Sequence, residues 1–193
     1  GNSSYTYQWQ VSDNNSSWNN ISGATGKTYS ASATNTGSSN ITKYYRVTVG
    51  GDGQSGTTSS VSVTYRPALV AGSITGGGGA TYSGGSVTLT ANPSGGNSSY
   101  TYQWQVSDNN SSWSNVPSNG NNSTYSPGIT NTGTSNIVKY YRVVVGGDGQ
   151  SKTSGSVSVT WRPALVAGNI PGGGSFVYGA SVTLTANPSG GTN

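Results

Sequence analysis

Asn97-Ser98-Ser99-Tyr100-Thr101-Tyr102-Gln103-Trp104-Gln105-Val106-Ser107 is the stretch that decides the fold. Tyr100, Tyr102, Trp104 and Val106 alternate with Thr101, Gln103, Gln105 and Ser107. That is the period of a half-buried β-strand with its aromatics turned towards a core. The same letters stand at residues 2–12, and the identity continues to Trp18 and Trp113. Trp104 and Trp9 lie 95 positions apart (104 − 9), and Tyr141 and Tyr45 lie 96 apart (141 − 45). A third, partial copy follows: Val182-Thr183-Leu184-Thr185-Ala186 repeats residues 87–91 at an offset of 95. A fixed period of this length is the mark of tandem domains.

Outward from that stretch, other strands show the same alternation. Tyr45, Val47 and Val49 alternate with Arg46 and Thr48, and Val61, Val63 and Tyr65 alternate with Ser62 and Thr64. Gly50-Gly51-Asp52-Gly53 is predicted to join those two strands directly, because Asp-Gly is a strong hairpin signal. Val87, Leu89 and Ala91 alternate with Thr88 and Thr90, and Asn92-Pro93-Ser94-Gly95-Gly96 is expected to end that strand. Residues 18–21 and 28–30 are expected as shorter strands. No segment sustains a helical period.

One complete domain emerges between Pro67 and Arg162. Its expected order is A at 69–75, a glycine break at 76–79, A′ near Tyr82, B at 87–91 and C at 100–107. C′ follows at 113–116, E at 124–126, F at 139–145 and G at 156–161. A Trp in strand C, and a Tyr two residues before an inward position of strand F, are landmarks of the immunoglobulin fold. Trp104 and Tyr141 fit them, with Ala91 and Val143 where that fold often carries its disulfide. The fold class is therefore all-β: tandem immunoglobulin-like β-sandwich repeats, disulfide-free. The expected division is 1–66 as a partial repeat (strands C to G), 67–162 as a complete repeat, and 163–193 as a partial repeat (strands A and B).

Composition narrows the chemistry. The 193 residues include no Cys, Met or His, and Asp13, Asp52, Asp108 and Asp148 are the four acidic residues. The side chains that most often serve acid–base, thiol and soft-metal chemistry are missing. The net charge of +4 is spread singly over Lys27, Lys43, Arg46, Arg66, Lys139, Arg142, Lys152 and Arg162. Nucleic-acid binding calls for a clustered basic patch instead. No apolar run is long enough to span a bilayer as a helix.

The run Tyr-Gln-Trp-Gln at 7–10 and 102–105, the Thr-Tyr-Ser at 28–30 and 124–126, the Tyr-Tyr-Arg-Val at 44–47 and 140–143, and the Pro-Ala-Leu-Val-Ala-Gly at 67–72 and 163–168 resemble tandem Ig-like repeats of Bacteroidota surface proteins. These include gliding-motility adhesins of the SprB kind and other substrates of the type IX secretion route. The resemblance covers essentially the whole chain. It implies an extracellular, cell-surface location and a role in adhesion or gliding motility. Many such repeats carry Cys, and this chain departs from them there.

The residues offer no catalytic, cofactor-binding or metal pattern. Tyr7, Trp9, Tyr45 and their copies alternate too strictly to form a sugar-stacking platform, so core packing is expected of them. Trp18 and Trp113, flanked by Asn/Ser runs, are the places where edge packing and ligand contact compete. The Gly-Gly-Asp-Gly-Gln-Ser loops at 50–55 and 146–151 hold one Asp each, where a calcium site calls for several oxygen ligands. Residues 76–79 lack the Lys-Ser/Thr of a phosphate loop. A Lys–Asn isopeptide bond at Lys43 or Lys139 would need a buried acid beside it. The expectation is no enzyme, and no catalytic, cofactor-binding or metal residue.

The expected function is that of a stalk or filament repeat of a secreted adhesin. The alternative is a carbohydrate-binding Ig-like module, which would expose Trp18 and Trp113. Expected partners are neighbouring repeats in the same chain or filament, with a surface glycan or substratum contacted through other domains. Neither nucleic acid nor membrane insertion is expected. Strand G runs into Pro67-Ala68-Leu69 with no Gly/Ser linker, which predicts a stiff joint. The chain starts without Met and in the middle of a repeat. It is expected to be either a window on a longer array or a subunit whose ends complete each other head to tail.

Overall fold

The computed structural model describes residues 4–191. Residues 1–3 and 192–193, the outer ends of the first and last expected segments, lie outside the described residues. The chain divides into two compact units: Gly1–Ala68 with Gly95–Ser98, and Leu69–Ser94 with Ser99–Asn193. All named elements among the described residues are β-strands.

The first unit is one antiparallel sheet. Its strands are β1 (Thr6–Ser12), β2 (Asn19–Asn20), β3 (Ile41–Gly51), β4 (Gln54–Thr57) and β5 (Val61–Tyr65). The order is β2-β1-β3-β4, with β5 also paired to β3. Register runs from Thr6 opposite Gly50 to Ser12 opposite Tyr44. Asp52 (φ 53°) and Gly53 (φ 74°) make the two-residue turn. Positive φ at both positions is the type I′ geometry that matches strand twist, and Asp-Gly supplies it at low steric cost. The turn leads into β4, whose Gln54 faces Gly51. This corrects the expectation that it joins β3 directly to Val61–Tyr65. The chain then steps from β4 to β5 on the same edge of β3. At that step the Thr58 N–H donates to the Val47 carbonyl (3.0 Å), and the Val47 N–H donates to Thr58 Oγ1 (3.2 Å). A hydroxyl thus fills a place in the ladder that a carbonyl would take.

The second unit is a two-sheet sandwich. Its strands are β6 (Val70–Thr75), β7 (Ala80–Thr81), β8 (Leu89–Ser94), β9 (Thr101–Ser107), β10 (Ser114–Asn115), β11 (Thr124–Tyr125), β12 (Ile137–Gly147), β13 (Gln150–Thr153) and β14 (Val157–Trp161). One sheet runs β10-β9-β12-β14-β7, with β13 also on β12; the other runs β11-β8-β6. β7 joins β14 in parallel. Ser154 repeats the hydroxyl step of Thr58: its N–H reaches the Val143 carbonyl at 2.9 Å and its Oγ accepts from the Val143 N–H at 3.0 Å.

Between the sheets lies one core containing Leu69, Leu89, Ala91, Trp104, Tyr141, Val143, Val145, Val159 and Trp161. Trp104, Tyr125, Tyr141 and Trp161 pack in series, with ring centroids 6.0, 5.8 and 6.4 Å apart. Ala91 and Val143, at the positions of the usual disulfide, are both buried. The molecule is all-β, of immunoglobulin-like sandwich class, and without disulfide.

Several details differ from the sequence expectation. β8 starts at Leu89, two residues later than expected, and runs through Pro93 to Ser94. It continues because Ser94 still pairs with Val70 across a register shift between Val70 and Ser73. Gly72 makes that bulge at φ 70°, where a Cβ would lie 1.8 Å from the Asn92 carbonyl oxygen. Residues 28–30 form no strand, although their counterparts Thr124–Tyr125 do. β11 exists by pairing with β8, and among residues 4–68 no strand stands in the place of β8. Tyr5, expected on the core side, is exposed.

Candidate functional site: two matched apolar faces

In the second unit Trp104, Tyr141, Val143, Val145 and Val159 are buried beneath β6 and β8. Their counterparts Trp9, Tyr45, Val47, Val49 and Val63 lie on β1, β3 and β5, in the same register. Tyr45 is buried, but Trp9, Val47, Val49 and Val63 are only half-buried. Val61 is 61% exposed. Tyr29 covers part of this face, with its ring 5.8 Å from Trp9 and 6.1 Å from Tyr45. The Tyr45 hydroxyl meets the Tyr65 hydroxyl at 3.0 Å. Burial first, and that hydroxyl pair second, push the Tyr45 phenol well above its ordinary range. Burial does the same for Tyr141, helped by Tyr125.

The second apolar face belongs to residues 163–191. Leu165 is 73% exposed and Leu184 58%, where Leu69 and Leu89 are at 1% and 0%. Ile170, Phe176, Val177 and Val182 are exposed as well. The strands expected here do not form: one bridge, Val166 to Ser189, is what the segment carries. Extended chain with nothing beneath its apolar side chains gains little from closing a ladder.

The outer sheet face is polar and internally satisfied. Arg142 Nε donates to Gln105 Oε1 (2.8 Å), and Gln105 Nε2 donates to Asn115 Oδ1 (3.0 Å). The Arg142 guanidinium lies 4.3 Å from the centre of the Trp113 ring. Arg46, Gln10, Asn20 and Trp18 repeat the arrangement, at 4.1 Å for the cation–ring contact. Each Trp is half-buried with a cation on it, which is edge packing rather than a bare stacking platform. Lys43 pairs with Asp13 and Lys139 with Asp108, in exposed bridges that tie strand C to strand F. Neither Lys therefore sits beside a buried acid.

Asn131 was not visible to sequence reasoning as a core residue. It is 1% exposed, and its Nδ2 donates to the carbonyls of Ser135 (2.8 Å) and Trp161 (2.9 Å). Its Oδ1 accepts from the Gly133 N–H at 3.0 Å. Asn35 repeats those bonds with Ser39, Tyr65 and Gly37. The signal available was the repeated Asn-Thr-Gly, where an Asn side chain commonly closes its own turn.

Among the described residues no three His, Cys, Asp or Glu gather where they could hold a metal. No helix is long and apolar enough to cross a membrane. Two open grooves of the second unit are lined by Leu69, Ala71, Lys152 and Ser154, and by Ser118, Asn122, Thr124 and Tyr125; neither lining contains a carboxylate.

The family model described as Domain of unknown function (DUF8696) matches residues 1–67 and again residues 70–163. The chain belongs to that family. Each DUF8696 match ends at the Pro of an Arg-Pro-Ala-Leu run, Pro67 or Pro163. No curated protein matches the chain in sequence. Among solved structures, the chicken CNTN1 FN1-FN3 domains align at 10% identity and a TM-score of 0.38, over 94% of this chain and 65% of that one.

Proposed function

We propose that this DUF8696 chain is a mechanical repeat of an extracellular stalk or filament, the part of a surface adhesin that holds an adhesive tip away from the cell. The observation that carries the reading is the duplication of a satisfied, chemically quiet sheet. The same aromatic ladder, cation-covered Trp and Asn-closed turn recur one period apart. Linear arrays gain stability from each unit and from the junction with its neighbour. Here residues 66–69 separate β5 from β6 and contain neither Gly nor Ser. A secreted surface location, adhesion and gliding motility are parts of the same proposal, supported by the repeat motifs. The carbohydrate-binding alternative gains no support from Trp18 and Trp113, because Arg46 and Arg142 lie over their rings.

Antibodies raised against the outer face test the location. They should label intact cells of the source organism without permeabilisation. Labelling that requires permeabilisation would contradict the surface role.

A further inference from the structure

The loop between β10 and β11 is strapped to the core tryptophan of its sandwich. The Val116 N–H donates to the Trp104 carbonyl (3.1 Å), the Trp104 N–H to the Gly120 carbonyl (2.8 Å), and Trp104 Nε1 to the Asn122 carbonyl (2.9 Å). The first unit straps residues 21–26 to Trp9 by the same three bonds, through Ile21, Ala24 and Gly26. Val116 and Ile21 lie 95 positions apart (116 − 21), but Gly120 and Ala24 lie 96 apart (120 − 24). The one extra residue of the second repeat therefore sits in this loop. Side chains change with it. The left-handed position just before the strapped carbonyl is Gly23 (φ 72°) in the first repeat and Asn119 (φ 56°) in the second. Asn122 stands where the first repeat has Gly26, and Ser123 where it has Lys27. One backbone framework carries glycine and a cation in one repeat, and amides and hydroxyls in the other.

These groups line an open groove of about 430 Å³ on the second unit, with Ser118, Asn119, Asn122, Thr124, Tyr125 and Ser126 around it. That volume falls in the range of small-ligand clefts, about 300–1,000 Å³. Elsewhere the Asn amides are used inside the fold: Asn14, Asn35, Asn92, Asn115 and Asn131 all hydrogen-bond through their side chains. Ser126 Oγ likewise meets Thr88 Oγ1 at 3.1 Å. The side chains of Ser118, Asn119, Asn122 and Thr124 have no such partner among the described residues. They stand free on a backbone that Trp104 holds fixed, so a ligand would have little to immobilise.

We propose that this groove binds a neutral saccharide. Amides and hydroxyls both donate and accept, as sugar hydroxyls do. No Lys, Arg or Asp lines the groove, which leaves an anion or a nucleic acid without its counter-charge. An extended peptide would add to a strand edge, but β11 offers Thr124–Tyr125 alone, with Pro127 close behind. The groove lies beside the middle of β9, because Trp104 is the central residue of Thr101–Ser107. It is separate from Trp18 and Trp113, whose rings carry arginines. Such a site goes beyond the mechanical role, which needs no ligand. Absence of sugar binding removes the site and leaves that role standing.

An NMR titration of the full chain with neutral trisaccharides of glucose, galactose, mannose and N-acetylglucosamine tests it. At least one sugar should shift the side-chain amide signals of Asn119 and Asn122 saturably, and leave those of Asn35 and Asn131 in place. Asn119→Gly and Asn122→Gly install the residues of the first repeat. Both keep the backbone bonds to Trp104, and Asn119→Gly also relieves a left-handed position, so its melting temperature should hold or rise. Each should nevertheless weaken sugar binding at least about tenfold, through the hydrogen bonds its amide would have made. No shift with any of the four sugars, shifts centred on Trp18 or Trp113, or binding that either variant retains at full strength would overturn the proposal. So would binding of acidic polygalacturonate in place of the neutral sugars.

Discussion

Trp104 of β9 and Trp9 of β1 hold equivalent positions in the two repeats, yet Trp104 is fully buried and Trp9 only half-buried. The difference is the second sheet, present over one and absent over the other. Trp104→Ala should cost about 3–5 kcal/mol, the range for deleting a large ring from a packed core. Trp9→Ala should cost roughly 1–2 kcal/mol, in proportion to the smaller apolar area removed from water. Urea unfolding of the two variants checks the contrast, and equal costs would mean that Trp9 is as well covered as Trp104. Asn131→Ala should cost about 1–3 kcal/mol, since it strands the carbonyls of Ser135 and Trp161 without a donor. The tyrosines give a pH dependence. Burial raises the Tyr45 and Tyr141 phenols above the ordinary 10.0. Above that pH the unfolded chain has lost protons that the folded chain keeps, so stability falls as pH rises. Below it the contribution is fully present. Urea midpoints should be flat between about pH 7 and 9 and drop beyond about pH 10.

At the scale of elements, glycine positions separate steric from conformational demands. Gly149 sits in the β12–β13 turn at φ 69° with open space where a Cβ would go. Gly149→Ala should therefore cost only the backbone term, about 1 kcal/mol. Gly72 has a similar φ, but a Cβ there would collide with the Asn92 carbonyl. Gly72→Ala must break the β6–β8 bulge and should cost several times more, roughly 3 kcal/mol or above. Thermal melts of the two variants check the order. The same elements show what the sequence makes legible. β9 and β14 could be read because one face is buried, which imposes a period of two on the side chains, and β1 and β5 because they repeat that alternation. β4 and β13 could not, because Gln54–Thr57 and Gln150–Thr153 are exposed on both faces and leave no alternation. Residues 28–30 read as a strand because their composition suits one, but a strand needs a neighbour. Trp18 and Trp113 were ambiguous because the arginines over them come from β3 and β12, far along the chain. The quiet outer face emerges only once β1 and β3, or β9 and β12, lie side by side.

For the whole molecule, the proposal of a stalk turns on how repeats behave in series. Arg66-Pro67-Ala68-Leu69 leads from one unit's last strand into the next unit's first with no flexible spacer. Small-angle scattering from a polypeptide of four repeats should give the profile of a rod; a freely jointed profile would contradict the stiff joint. The central claim is that each period is one closed sandwich bearing load in series with its neighbours. Pulling the same polypeptide end to end in a single-molecule force experiment tests that most directly. Each domain of 95 residues should release roughly 300 Å of chain when it opens, from about 3.3–3.6 Å per extended residue less the folded span. The account predicts a series of evenly spaced rupture peaks at that increment. A featureless extension, or peaks at unequal spacings, would contradict it.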